Sequence, residues 1–153
     1  MSRVLIVCWL LASYAFADVE TKQTGGIGKK GACFSRQNDQ WSYKILQLKA
    51  NWYYSWGREL REERPKNVEF VPMFWGKWFK DDDIEYLLNL KNQNQIKFVL
   101  GFNEPDSPNQ SNMSVDEAIA LWPKLEAIGL PLGSPATVNP ENKWMINYFH
   151  SLI

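Results

Sequence analysis

The sequence predicts an α/β fold of parallel strands and crossover helices, of the (β/α)8 TIM-barrel type, incomplete, with about five β/α units present. Three observations predict it. Short apolar runs alternate with helix-like stretches along the chain, joined by short links, and that alternation implies a parallel sheet with right-handed crossovers, either doubly wound or closed into a barrel. No glycine-rich phosphate loop follows any of the runs, which removes the main signature of nucleotide-binding sheets. A complete eight-fold barrel takes about 250 residues, roughly 31 per unit, so a chain of 153 residues with an N-terminal leader holds about four to five units.

The elements follow in order. Residues 1–17 read as a secretory signal: Arg3 gives a positive start, Val4 to Leu11 is an apolar run, and Ala15-Phe16-Ala17 offers small residues where a signal peptidase reads. The run is too short to span a bilayer as a permanent helix. Residues 18–30, with Gly25, Gly26 and Gly28, read as a flexible leader. The folded domain is expected over 31–153. Gly31 to Phe34 is the first strand, and Asp39 to Lys49 a helix with Trp41, Ile45 and Leu48 on one face. Ala50 to Trp56 and Val68 to Phe74 are strands, with Pro72 near the end of the second, where a missing N–H matters least. Asp81 to Lys91 is a helix carrying Ile84, Leu87 and Leu88 at helical spacing, its three leading aspartates suited to the positive end of the helix dipole. Ile96 to Phe102 is a nearly continuous apolar run, as expected of a strand buried on both faces. Ser114 to Ala127 is the clearest helix: Ser114 with Glu117 is a capping box, and Gly129 ends it. Leu130 to Leu132 is a fifth strand, and Asn142 begins another helix.

Composition excludes several functions. The 17 basic and 17 acidic residues balance, whereas nucleic acid demands a basic face. Two cysteines make neither a disulfide scaffold nor a metal cluster. Cys8 leaves with the signal, so Cys33 stands alone. It reads as a buried small hydrophobe, the alternative being a partner outside this chain. Neither metal nor cofactor is expected, since no metal-ligand spacing occurs. His150, the single histidine, falls on the last helix and reads as a surface residue. Eight tryptophans are the outlier. Many stand beside Gly, Ser or Pro at expected strand ends, where an indole face can stack on the C–H face of a sugar; the plainer role for most of them is core.

The chemistry concentrates in Asn103-Glu104-Pro105-Asp106, directly after the run Phe98 to Phe102. In a parallel barrel the strand ends face the active site. Glycoside hydrolysis needs a carboxylic acid to protonate the leaving oxygen, partly desolvated so that it holds its proton. Glu104 is the candidate acid. Phe102, Trp75 and Trp56 are expected as its apolar wall, and Asn103 as a donor to a sugar hydroxyl. The plainer alternative makes Glu104 and Asp106 loop carboxylates capping the next element. Asn109-Gln110-Ser111 and Asn112-Met113-Ser114 are glycosylation sequons, so crowded that at most one is expected to be used.

Gly101-Phe102-Asn103-Glu104-Pro105-Asp106, the segment Asn112 to Ala118, Leu121-Trp122, Gly133-Ser134-Pro135-Ala136, and upstream Trp52 to Gly57 and Val68 to Gly76 together resemble glycoside hydrolase family 128. These are the "glycosyl hydrolase catalytic core" proteins, which include the alkali-sensitive linkage protein of fungal walls. The resemblance runs from about Lys30 to Ile153. It implies a retaining endo-β-1,3-glucanase on a (β/α)8 barrel, with the acid/base on strand four, matched by Glu104 preceded by Asn103, and the nucleophile on strand seven. Trp56 and Trp75 match aromatic positions after strands two and three. No glutamate here matches the nucleophile. The expectation is therefore a secreted, β-glucan-active hydrolase, present as the N-terminal part of its domain, with no membrane attachment after signal cleavage. The alternatives are a catalytically inactive glucan-binding or recognition protein, or a truncated gene product.

Overall fold

A computed structural model of the chain describes residues 28–152. The expected signal and most of the expected leader therefore lie outside the described residues. Among the described residues, five short strands and four helices follow in order, with a helix after every strand but β2: β1 (Gly31–Cys33), α1 (Trp41–Gln47), β2 (Trp52–Tyr54), β3 (Glu69–Phe70), α2 (Asp81–Asn92), β4 (Val99–Leu100), α3 (Val115–Glu126), β5 (Leu132–Gly133) and α4 (Lys143–Ser151). Every pairing is parallel. β1 pairs with β2 in the register Gly31 to Trp52, β2 with β3 as Trp52 to Glu69, and β4 with β5 as Val99 to Leu132. A bridge from Met73 to Leu100, with Leu100 N–H donating to Pro72 O at 2.8 Å and Phe74 N–H to Leu100 O at 3.1 Å, joins the two sheets. The strands thus lie side by side in sequence order.

The strands are shorter than the apolar runs that predict them, because regular pairing requires a partner at each residue. Helix α1 is also trimmed. Gln40 (φ 58°) and Lys49 (φ 51°) sit in the left-handed region on either side of it, so the helical face keeps Trp41 and Ile45 buried while Leu48, expected on that face, is exposed. Helices α2 and α3 match expectation closely. The Asp83 carboxylate accepts from Lys80 N–H at 2.7 Å. Glu117 N–H donates to Ser114 Oγ at 3.1 Å while Ser114 N–H donates to Glu117 Oε2 at 2.9 Å, the reciprocal box that satisfies two orphan donors. Gly129, at φ 67°, takes the left-handed turn that follows α3. Helix α4 is capped by Asn142, whose Oδ1 accepts from Met145 N–H at 2.9 Å.

One face of the strand layer supplies the core. Tyr53, Phe70, Phe74, Val99 and Phe102 pack against Ile45 of α1, Leu87 and Leu90 of α2, Ala118, Trp122 and Leu125 of α3, and Tyr148 of α4. Each fully buried side chain of this size contributes about 1.5–3 kcal/mol. Gly101 permits a close approach of neighbouring backbone and ring: a Cβ there would stand 2.9 Å from Gly133 O and 3.0 Å from the Trp122 ring. The opposite face is a concavity of about 420 Å³ lined by Trp52, Val71, Phe98, Leu100, Pro131 and Leu132.

Cys33 departs from expectation. It is exposed, because on the three-residue edge strand β1 only Ala32 turns toward the helices. Its thiol lies beside Tyr54, whose phenol is pushed up to about 12 by burial and by its hydrogen bond with Cys33.

Candidate active site

Three loops meet at the C-terminal ends of β2, β3 and β4. Pairing continues past the regular strands and fixes them to one another. Met73 N–H donates to Gly57 O at 3.0 Å, tying the loop after β2 to the end of β3. Asn103 N–H donates to Trp75 O at 2.9 Å, and Glu104 N–H donates to Ala136 O at 2.7 Å, with Ala136 N–H returning to Phe102 O at 2.9 Å. Trp75, Asn103, Glu104 and Ala136 therefore stand on one continuous backbone ladder. Glu104 itself has φ 43°, a left-handed conformation that a residue with a Cβ adopts only when its surroundings impose it. Pro105 behind it is buried, and its carbonyl accepts from Met113 N–H at 2.9 Å.

Of the residues singled out in the sequence, Glu104 is half-buried at this ladder. Asn103 is 9% exposed, and its Nδ2 donates to Gln110 Oε1 at 3.3 Å. Trp56, at φ 53° and 37% exposed, lies after β2 edge-on to Tyr54 with ring centroids 5.2 Å apart. Trp75 is partly buried. Phe102 does not reach the site: it is fully buried in the core and meets Trp122 edge-on at 6.1 Å. It lies beyond the end of β4 at Leu100, where strict strand alternation has ended, and it joins Val99 in the core although Leu100 and Phe98 line the opposite face. Asn109 and Asn112 are both exposed, whereas Ser111 is buried and Ser114 is held in the capping box.

Trp78 went unnoticed in the sequence. It is 62% exposed and stacks on Trp75, with ring centroids 5.7 Å apart and planes 24° apart. Its signal was Trp75-Gly76-Lys77-Trp78, two indoles three residues apart with a glycine between them that has no room for a Cβ: one there would stand 2.9 Å from the Trp78 ring. Lys77 reaches across to Glu117 at the head of α3, with Nζ to Oε1 at 2.6 Å. That contact and the hydrogen bond from Ser114 N–H hold the Glu117 carboxyl below its ordinary range. Asp106 is engaged on both oxygens. Oδ1 accepts from Val138 N–H at 3.0 Å and Oδ2 from Asn142 Nδ2 at 2.5 Å. Among the described residues, no group of three or more His, Cys, Asp or Glu is placed to hold a metal ion, and no helix is long and apolar enough to cross a membrane.

The family model described as glycosyl hydrolase catalytic core matches residues 31–152. The chain belongs to that family. Among solved structures, this chain is similar to a family 128 subgroup I endo-β-1,3-glucanase from Amycolatopsis mediterranei in complex with laminaripentaose, at 30% identity and TM-score 0.64, over 81% of this chain and 52% of that one. A subgroup II endo-β-1,3-glucanase from Sorangium cellulosum matches at 28% identity and TM-score 0.61, over 80% and 55% of the two chains. A subgroup VII oligosaccharide-binding protein from Trichoderma gamsii shares the fold at 22% identity and TM-score 0.56, over 80% and 50%. The chain spans about half the length of the solved structures it matches. Curated protein sequences yielded no match.

Proposed function

We propose that this chain forms one side of a β-1,3-glucan groove, with Glu104 as the acid/base carboxylate of a retaining hydrolysis and Asn103, Trp56 and Trp75 against the sugar. The observation that carries this reading is the ladder from Trp75 through Asn103 and Glu104 to Ala136. It sets an indole, an amide and a carboxylate on adjoining strand ends, the three groups that stack a ring, hold a hydroxyl and protonate a leaving oxygen. Exposed Trp78, stacked on Trp75, extends the aromatic surface. The likeness to endo-β-1,3-glucanases, one of them in complex with laminaripentaose, points to the linkage.

On this reading the parallel units belong to the first part of a (β/α)8 barrel. Retaining hydrolysis needs a second carboxylate about 5–5.5 Å from the first. Asp106 is not that group, because both its oxygens are occupied. The attacking carboxylate is supplied from outside this sequence. We further propose secretion, on the strength of the apolar run Val4 to Leu11 with Ala15 and Ala17, and a glycan at Asn109 or Asn112. A second reading, glucan binding without turnover, is favoured by the same engagement of Asp106.

Titration of the chain with laminaripentaose, followed by assay on laminarin, tests both. Binding without hydrolysis is expected from residues 18–153, and hydrolysis in a longer form that supplies the second carboxylate. Absence of binding would overturn the glucan assignment. Hydrolysis by the folded 18–153 monomer, lost in Glu104→Gln, would show that a carboxylate within this chain attacks.

A further inference from the structure

Asp106 closes a ring of chain around Glu104. From Glu104 the backbone runs two residues to Asp106, whose Oδ1 accepts from Val138 N–H at 3.0 Å. From Val138 it runs two residues back to Ala136, whose carbonyl accepts from Glu104 N–H at 2.7 Å. The second Asp106 oxygen anchors the ring to α4 through Asn142 Nδ2, at 2.5 Å, while Asn142 Oδ1 caps that helix on Met145 N–H at 2.9 Å. Glu104 sits in this ring at φ 43°, in a region that strains a residue with a Cβ and persists only where neighbours over-determine it. Asp106 Oδ1 and the Ala136 carbonyl are two of those neighbours.

We propose that Asp106 and Asn142 act together as positioning residues that hold the Glu104 backbone in its left-handed turn and so aim its carboxylate. The proposal rests on the assignment of Glu104 to the site. The chemistry of the contact is directional. Asn142 must present its oxygen to the helix and its NH2 to Asp106, so it cannot turn over without losing the cap. Asp106 must accept twice. Asp106→Asn keeps an acceptor for Val138 but sets NH2 against NH2 at Asn142. Asn142→Asp keeps the helix cap but sets carboxylate against carboxylate. The exchange Asp106→Asn with Asn142→Asp restores the side-chain bond with donor and acceptor reversed, and leaves the oxygens at 106 and 142 accepting from Val138 N–H and Met145 N–H as before.

The test uses the full chain and compares the two single variants with the exchange. Amide hydrogen exchange is read at Glu104, against the core amide of Val71, which donates to Tyr53 O at 2.9 Å. The Glu104 carboxyl carbon is followed by NMR with and without laminaripentaose. Each single variant is expected to speed Glu104 exchange at least tenfold relative to Val71 and to shift the carboxyl signal. The exchange variant is expected to bring both back to within about twofold of the parent. Equal acceleration at Glu104 and Val71 would mean a merely structural contact and overturn the proposal, as would unchanged Glu104 exchange in the single variants or failure of the exchange variant to recover. A parent chain that ignores laminaripentaose would sink the glucan reading while leaving these comparisons to decide the clamp.

Discussion

Trp75 and Trp78 stack with their planes 24° apart, and the outer ring stands 62% exposed. An indole so open contributes little to folding, yet its face is held rigidly by the ring beneath. Trp78→Ala is expected to leave the unfolding midpoint in urea nearly unchanged and to weaken laminaripentaose binding by about 1–3 kcal/mol, the range for an aromatic anchor. Trp75→Ala should cost a similar amount of binding with some loss of stability. Normal binding by both variants would place the pair outside the groove.

Glu104→Gln preserves shape and removes the titrating proton. Laminaripentaose binding should persist within a few fold. In a longer form that supplies the second carboxylate, hydrolysis of unactivated β-1,3-glucan should vanish, because no proton reaches the leaving oxygen. A substrate with a good leaving group should suffer less, and azide should rescue its turnover, since azide needs no general base. Near-normal glucan hydrolysis would remove Glu104 from the role.

Tyr148 is fully buried between Trp122, Trp144 and Phe149, and its hydroxyl has no hydrogen-bond partner among the described residues. Burial pushes its phenol pKa upward. A buried polar group without a partner costs free energy that its removal returns. Tyr148→Phe is therefore expected to hold or raise stability, by up to about 1 kcal/mol, in urea unfolding. A clear loss would reveal a partner for the hydroxyl.

Glu117 carries a pH dependence. Lys77 foremost, then Ser114 N–H, lowers its folded pKa below the ordinary 4.5. A group lowered on folding stabilises the fold above its unfolded pKa, and that contribution fades as pH falls through the folded value. Thermal melts should show this part of the stability intact above about pH 5 and declining below about pH 4.5. Glu117→Gln should flatten that decline while leaving melts at pH 7 lower than the parent.

Much of this was legible because its causes are local. The Ser114–Glu117 box, the acidic head of α2 and the Asn142 cap each need only a few consecutive residues, and all three occur where the sequence implies. The parallel α/β order follows from the alternation alone. What escaped the sequence depends on partners far along the chain. Apart from Lys97 and Gly101, Ile96 to Phe102 is apolar, so little in it says which residues turn toward the helices, and Phe102, expected in the apolar wall beside Glu104, belongs to the core. Cys33 looked like a core residue because its exposure depends on β1 being an edge. The left-handed turns at Gln40, Trp56 and Glu104 involve no glycine and leave no local mark. Asp106 could be seen as a carboxylate near Glu104, but its hold on Val138 and Asn142 spans more than thirty residues.

Sequence-order pairing also bears on how the chain acquires its structure. Each strand pairs with the one before it, across separations of about 17 to 33 residues. During synthesis from the N-terminus, every new strand therefore emerges to find its partner already made. Among the described residues each strand pairing joins a strand to one made earlier, so each step closes only one short loop, and loop closure is what slows parallel sheets. The Glu104 turn is the exception. Its amide is satisfied only when Ala136 arrives, and Asp106 only with Val138 and Asn142, so this turn settles last, after the strands that carry it have already docked.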